Sequence, residues 1–330
     1  MYFCKKKKKT MDKLARQTFK AMVFLGNGFD IAHGYKTSYK NFYEKSKELK
    51  RLSQQGNRLC KHIIDNVDGE LWMDLEYGLY EYSKQITAND GIGNKQSSEQ
   101  FKTEFKELKN ALFLYLKEEI STSKSGNPGY WVGKISQEWN CLDYQIVSFN
   151  YTHIVAAYSA DAKLYNSNLS FNKEKIIFQH GSIYNPEKGT DNPSDYIVLG
   201  IDDIQKVEKA HSFLYKSRQK IFNITDLMNY INMKDVYIIY GCSMGSTDDF
   251  YFRKLFEGKK NKLFIIYGYG EKALSDVMDN VGAYTGGINP YQIDNKNEIV
   301  PIDCSLTDAV SKTKEALSLW KVRKTEAFRV

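Results

Sequence analysis

Proline and cysteine are both scarce, with five of each in 330 residues. So few prolines argue against long proline-rich linkers. The cysteines (Cys4, Cys60, Cys141, Cys242 and Cys304) are scattered, odd in number and without C-x-x-C spacing. That argues against a disulfide framework and a zinc site, and suits reduced thiols in a cytoplasm. Long apolar runs are missing as well. None approaches the roughly 18 residues that a membrane span needs. The opening stretch MYFCKKKKKT lacks the apolar core of a secretory leader.

An excess of one charge is missing from most of the chain too. The formal net charge is +7, but residues 1–20 carry eight of the 47 basic residues and one of the 40 acidic ones. That leaves 39 of each sign in residues 21–330. A short lysine run reads as a solvated, flexible tail. It can bind phosphate backbones weakly and with strong salt dependence. The neutral body disfavours a protein that acts on nucleic acid.

What the chain does have is apolar and aromatic mass. The hydrophobic share is 42% and there are 24 tyrosines. A chain this long exceeds the usual size of one domain. The segments 21–25, 144–149, 175–180, 196–200, 236–241 and 262–268 are short, apolar and rich in β-branched residues, as strands buried on both faces are. Helical texture fills 38–66, 71–86 and, most clearly, 99–120, and the stretches 203–233 and 247–257 read as helices between strands. The fold class expected is α/β, a Rossmann-like, mostly parallel sheet built from residues 21–34 and 141–330. Residues 35–140 are expected to form a large helical insertion after the first strand, lying over the carboxyl edge.

In such sheets ligands sit outside the carboxyl ends of the strands. Small and polar residues gather there in this chain. The first strand runs into Gly26-Asn27-Gly28-Phe29-Asp30, the second into Asn150-Tyr151-Thr152, the third into His180-Gly181-Ser182, the fourth into Gly200-Ile201-Asp202, and the fifth into Gly241-Cys242-Ser243-Met244-Gly245 and then Asp248. The G-x-G turn at 26–28 suits a phosphate approaching backbone N–H groups, or a tight turn that caps a helix with Asp30 in its first turn. His180 is one of five histidines, and its place between a strand and Gly181-Ser182 favours a pocket over a structural role. His33 and His153 lie near the same rim. Asn150 can orient a water or a ribose hydroxyl, or cap a helix. Glu76 is either a contact that closes the pocket or, as an acid on a helix more often is, a solvated side chain. The run 241–245 also matches G-x-S-x-G, the nucleophile elbow of α/β-hydrolases. That fold needs its histidine after the serine, and the last histidine here, His211, precedes Ser243.

Taken together, FLGNGFDIAHGYKTSYKNF, WMDLEYGL, SFNYT, FQHGS, IVLGIDD and IYGCSMGSTDDFYF resemble the AbiH family of bacteriophage abortive-infection proteins over about Met22 to Phe252. That family in turn is distantly similar to sirtuin-like NAD-binding domains. The resemblance implies an antiphage effector that binds NAD and hydrolyses its nicotinamide–ribose bond when activated, with a non-catalytic NAD or ADP-ribose sensor as the alternative. By the same similarity Gly26, Asn27 and Gly28 hold the pyrophosphate, Gly241 and Ser243 lie at a ribose, and Phe29, Asp30 and Asp248 complete the nucleotide-binding set. Asn150 and His180 become the catalytic pair. Three departures stand out: Asn27 replaces an alanine, Thr152 stands where an aspartate is expected, and no zinc cysteines are present. The last argues against deacylation of protein lysines. Expected partners are a nucleotide, a phage or host trigger and further copies of the chain. Neither a metal nor a membrane is expected.

Overall fold

The computed structural model describes residues 19–66, 75–88, 97–122, 134, 135, 138, 139, 142–153, 176–183, 193–219, 231, 233–245, 248–257, 261–284 and 297–327. The lysine tail at residues 1–18, the loop at 89–96, Trp72-Met73-Asp74 and residues 220–230 of the stretch read as helical lie outside them.

Among the described residues six strands form one sheet: β1 (Phe19–Leu25), β2 (Leu142–Ser148), β3 (Ile176–Phe178), β4 (Val236–Tyr240), β5 (Leu263–Gly268) and β6 (Glu298–Asp303). Their order is β3-β2-β1-β4-β5-β6, and every pairing is parallel. This is the doubly wound, Rossmann-like order, with the direction of winding reversing between β1 and β4. Strand side chains alternate between faces. Ala21, Val23 and Leu25 of β1 join Ile238, Ile265 and Ile302 in one core. Helix α9 (Ala309–Ala327) covers that side through Ala316, Leu317 and Trp320. Met22 and Phe24 point the other way, into a core shared with α7 (Asp249–Phe256) and α8 (Glu271–Tyr284).

One strand expectation is corrected and one unexpected strand is added. The run 196–200 is as buried as a strand, with Ile197, Val198 and Leu199 all at 0% exposure. It joins no ladder, however, and is held by isolated bridges from Gly181 to Ile197 and from Ile201 to Tyr215. Conversely, 298–303 is a strand that the apolar pattern missed. It lies at the sheet edge, where Pro301 is tolerated because no outer neighbour needs its missing N–H. The described part of 203–233 is also less helical than expected: short 3-10 turns occupy Lys209–Leu214 and Lys216–Arg218.

Between β1 and β2 the described residues include the helices α1 (Asn27–Ala32), α2 (Tyr39–Lys45), α3 (Lys47–Gln54), α4 (Arg58–Asp65), α5 (Leu75–Ala88) and α6 (Ser98–Thr122). Ser38, Ser46 and Asn57 cap α2, α3 and α4, each accepting from a backbone N–H three residues on. The buried faces of α2 to α6 form a third core with Tyr151, Ile183, Leu199, Ile201 and Leu214. Those five belong to loops at the carboxyl ends of β2 and β3 and beyond. The helical layer is therefore seated on the carboxyl edge of the sheet, and a cleft is left between the two.

Candidate functional site

The cleft has a volume of about 820 Å3. Gly26, Asn27 and Asp30 line it from β1–α1, Phe149 to Thr152 from the end of β2, His180 from the end of β3, and Gly241 to Gly245 with Asp248 from the end of β4. Thr37 to Lys40, Tyr43, Glu44, Glu76 and Leu116 close it from the helical layer. It thus opens at the switch point of the sheet, where ligands of such folds bind. Its size falls within the ~300–1,000 Å3 of small-molecule sites.

The three glycines around β1 and β4 serve close backbone packing. A Cβ on Gly26 would lie 2.4 Å from the Gly241 carbonyl oxygen, and one on Gly28 would lie 2.6 Å from the Gly241 Cα. Gly241 itself has φ 67° and leaves no room for a side chain against Phe29 and Gly28. The N–H groups of Gly26, Gly28 and Phe29 donate to the carbonyls of Tyr240, Gly241 and Gly26. Gly28 does not line the cleft, and Phe29 is buried in the core beneath it.

Asp30 and Asn150 tie β1 to β2. Asn150 Nδ2 donates both to the Gly26 carbonyl at 3.0 Å and to Asp30 Oδ1 at 2.8 Å. Thr152 Oγ1 donates to Asp30 Oδ2 at 2.6 Å. Both amide hydrogens of Asn150 are thereby committed, and its Oδ1 remains for a ligand. Asp30 is 1% exposed. Burial raises its pKa to about 7, against the opposing pull of the Thr152 and Asn150 bonds. Thr152, standing where an aspartate was expected, is a donor to a buried carboxylate. An aspartate there would place two buried acids side by side.

The most charged part of the wall is a buried chain of four side chains. Lys216 Nζ lies 2.8 Å from Glu76 Oε2 and 2.8 Å from Asp248 Oδ1. Asp248 Oδ1 in turn lies 3.4 Å from His180 Nε2. Burial lowers the His180 pKa and the Lys216 charge lowers it further, so the ring is neutral. Burial alone would raise the Asp248 carboxyl, but the Lys216 charge outweighs it and holds it well below the usual range. Burial likewise opposes the Lys216 charge, and the two carboxylates overcome it and hold its pKa well above the ordinary value. The His180 ring hydrogen-bonds the Phe149 backbone. Its Nε2 is buried, near Asp248 but not aligned for a hydrogen bond. With the proton on Nδ1, Nε2 is a lone pair in the cleft wall beside an anion. Such a lone pair can accept a hydroxyl hydrogen.

Asn27, Asp30, Asn150, His180, Gly241, Ser243 and Asp248 therefore share one cleft, and Gly26 is part of its floor. His33 and His153 do not line it: His33 Nδ1 bonds the Phe29 carbonyl at 2.7 Å, and His153 stacks on Phe178. Glu76 is not the solvated acid its helix suggested but is 4% exposed. Lys216 was missed by the sequence. Asp202 was noticed only as part of a strand end. It accepts from the Phe250 N–H at 3.1 Å and so fixes the start of α7, directly after Asp248. Burial holds the Cys242 thiol protonated. The Ser243 side chain is exposed, and among the described residues no base hydrogen-bonds its hydroxyl. Neither is an activated nucleophile. Among the described residues no group of three or more His, Cys, Asp or Glu is placed to hold a metal ion, and no helix is long and apolar enough to cross a membrane.

An all-parallel 3-2-1-4-5-6 sheet with a polar cleft at its switch point defines a Rossmann-like α/β protein. Comparison with family models carries this further. Residues 22–269 match the model described as bacteriophage abortive infection AbiH, and the chain belongs to that family. A search of curated proteins gives no match.

Proposed function

We propose that this protein is an abortive-infection effector that binds NAD in the switch-point cleft and, when activated in infected cells, hydrolyses the nicotinamide–ribose bond. The observation that carries the reading is His180, a neutral, buried imidazole in the cleft wall whose Nε2 lies 3.4 Å from Asp248. Cleavage of NAD needs little help at the leaving group. The C1′–N bond breaks with its electron pair going to the pyridinium nitrogen, which leaves as neutral nicotinamide. The ribosyl cation left behind is attacked by water. His180 Nε2 takes the proton that this water loses, and the products are nicotinamide, ADP-ribose and a proton. General-base help of this kind is worth roughly 10²–10⁴-fold. Asp248, kept ionised by Lys216, stabilises the imidazolium that forms. Asn150 Oδ1 accepts from a ribose hydroxyl or from the attacking water, held in place by the two bonds of its Nδ2.

The alternative is a non-catalytic NAD or ADP-ribose sensor that uses the same cleft. The two readings part on chemistry. The purified protein is incubated with NAD, alone and with lysate of phage-infected cells, and nicotinamide is measured. Release that depends on the lysate and is lost in His180→Ala supports hydrolysis. Binding of NAD with no release under either condition supports the sensor.

A further inference from the structure

The loop after β4 holds its backbone in a directed way. The Ser243 carbonyl accepts from Asn280 Nδ2 at 3.0 Å, and the Met244 carbonyl accepts from the Tyr284 hydroxyl at 2.7 Å. Both donors belong to α8, on one face of the sheet. A trans peptide sets its N–H opposite its C=O, and among the described residues no peptide bond is cis. With those two carbonyls drawn to α8, the N–H groups of Met244 and Gly245 turn the other way. Both residues line the cleft, and neither N–H has a hydrogen-bond partner among the described residues. The conformation is held at a cost. Met244 adopts φ 54°, a left-handed backbone that a non-glycine residue rarely takes, while its side chain is anchored in the core.

Neighbouring peptide N–H groups that face open space are a site for an anion whose charge is spread over several oxygens. We propose that the β4 loop, through the N–H groups of Met244 and Gly245, holds a phosphate group of the ligand. The turn after β1 has less to offer, because the N–H groups of Gly26, Gly28 and Phe29 are spent on protein carbonyls. Asn280 and Tyr284 are positioning residues that aim the loop. Asp248, three residues beyond Gly245, would repel an anion, but Lys216 takes up its charge at 2.8 Å. A second group points to a polar ligand in the same cleft, the buried His180 Nε2. The phosphate site stands on the loop's geometry. That the phosphate belongs to a dinucleotide rests on the reading given under Proposed function.

Gly245 offers a clean test. A Cβ there meets only Ser243 Oγ, at 3.8 Å, so a side chain projects into open space without striking backbone. Binding of two probes, inorganic pyrophosphate and ADP-ribose, is measured by calorimetry on the full chain, Gly245→Val and Tyr284→Phe, with melting curves for each. Gly245→Val is expected to melt within ~3 °C of the parent and to lose about tenfold or more in affinity for both probes. Tyr284→Phe, which frees the Met244 carbonyl without adding bulk, is expected to lose about threefold. Should Gly245→Val fail to fold, Tyr284→Phe alone decides. Unchanged binding of both probes in a folded Gly245→Val would overturn the phosphate site and leave the nucleotide reading standing. Pyrophosphate that binds the parent and is lost in the variant, with no binding of ADP-ribose, would uphold the site and remove the nucleotide. Failure of both probes to bind the parent would remove both.

Discussion

Replacing Lys216 by methionine tests whether the buried chain Glu76–Lys216–Asp248–His180 holds the cleft together. Methionine keeps most of the aliphatic stem and removes only the charge and its hydrogen bonds. Two carboxylates then lose the cation that lies 2.8 Å from each. Glu76 is 5% and Asp248 21% exposed at the side chain, so water restores little. Removing one partner of a buried pair typically costs about 3–5 kcal/mol, and here one lysine serves two acids. The pH dependence gives the sharper signature. In the parent the Asp248 carboxyl sits well below its ordinary range, so its contribution is fully present above the unfolded pKa and is lost as the pH falls through the folded one. In Lys216→Met burial is unopposed, both acids titrate upward, and the variant gains relative stability as the pH falls from 7.5 toward 5. Urea unfolding of both proteins at pH 7.5 and 5.0 reads this directly. A loss below ~1 kcal/mol at pH 7.5, or a loss that does not shrink at pH 5.0, would refute the reasoning and place the pair in solvent.

Asp30→Asn keeps acceptor and donor capacity for Asn150 and Thr152 but cannot ionise. Because the folded pKa of Asp30 is raised to about 7, parent stability falls as the pH rises from about 4 to about 7. The variant is expected to lose that slope, worth up to about 4 kcal/mol, in urea unfolding across the same range. Gly28→Ala puts a Cβ 2.6 Å from the Gly241 Cα. It should lower the melting temperature by ~5 °C or more with or without nucleotide, whereas a purely ligand-facing glycine would leave the free protein unchanged. Ser243→Ala removes an exposed hydroxyl that no base contacts. It should leave turnover within about threefold, and abolition of activity would revive a serine nucleophile.

The strand ends were legible because a doubly wound sheet writes its pattern twice. Apolar β-branched runs mark buried parallel strands, and polar residues after them mark the edge where ligands bind. The same signal misfired at 196–200. Ile197 and Leu199 are buried in the core of the helical layer and not by ladder neighbours, and an apolar run reports burial without saying what provides it. Strand β6 failed to register for the opposite reason, since Glu298 and Pro301 interrupt a run that an edge position does not require. Asn150 and His180 stand out in the sequence because they lie just past apolar strand runs, and both line the cleft. Lys216 sits in a short 3-10 turn and meets Glu76, 140 residues earlier, only through the tertiary fold. No local spacing records that meeting. The G-x-G turn shows the limit of motif reading: its glycines satisfy a three-way backbone contact with Gly241 that the motif cannot distinguish from a phosphate cradle.

The central claim is that His180 makes the cleft an NAD hydrolase during infection. The most direct measurement is the NAD content of bacteria carrying either the parent or His180→Gln, followed through phage infection, with equal expression and melting temperature verified for both proteins. The account predicts that NAD collapses and nicotinamide rises in infected cells with the parent, and that both stay level, with protection lost, in His180→Gln. Protection by the parent while NAD remains constant would contradict it.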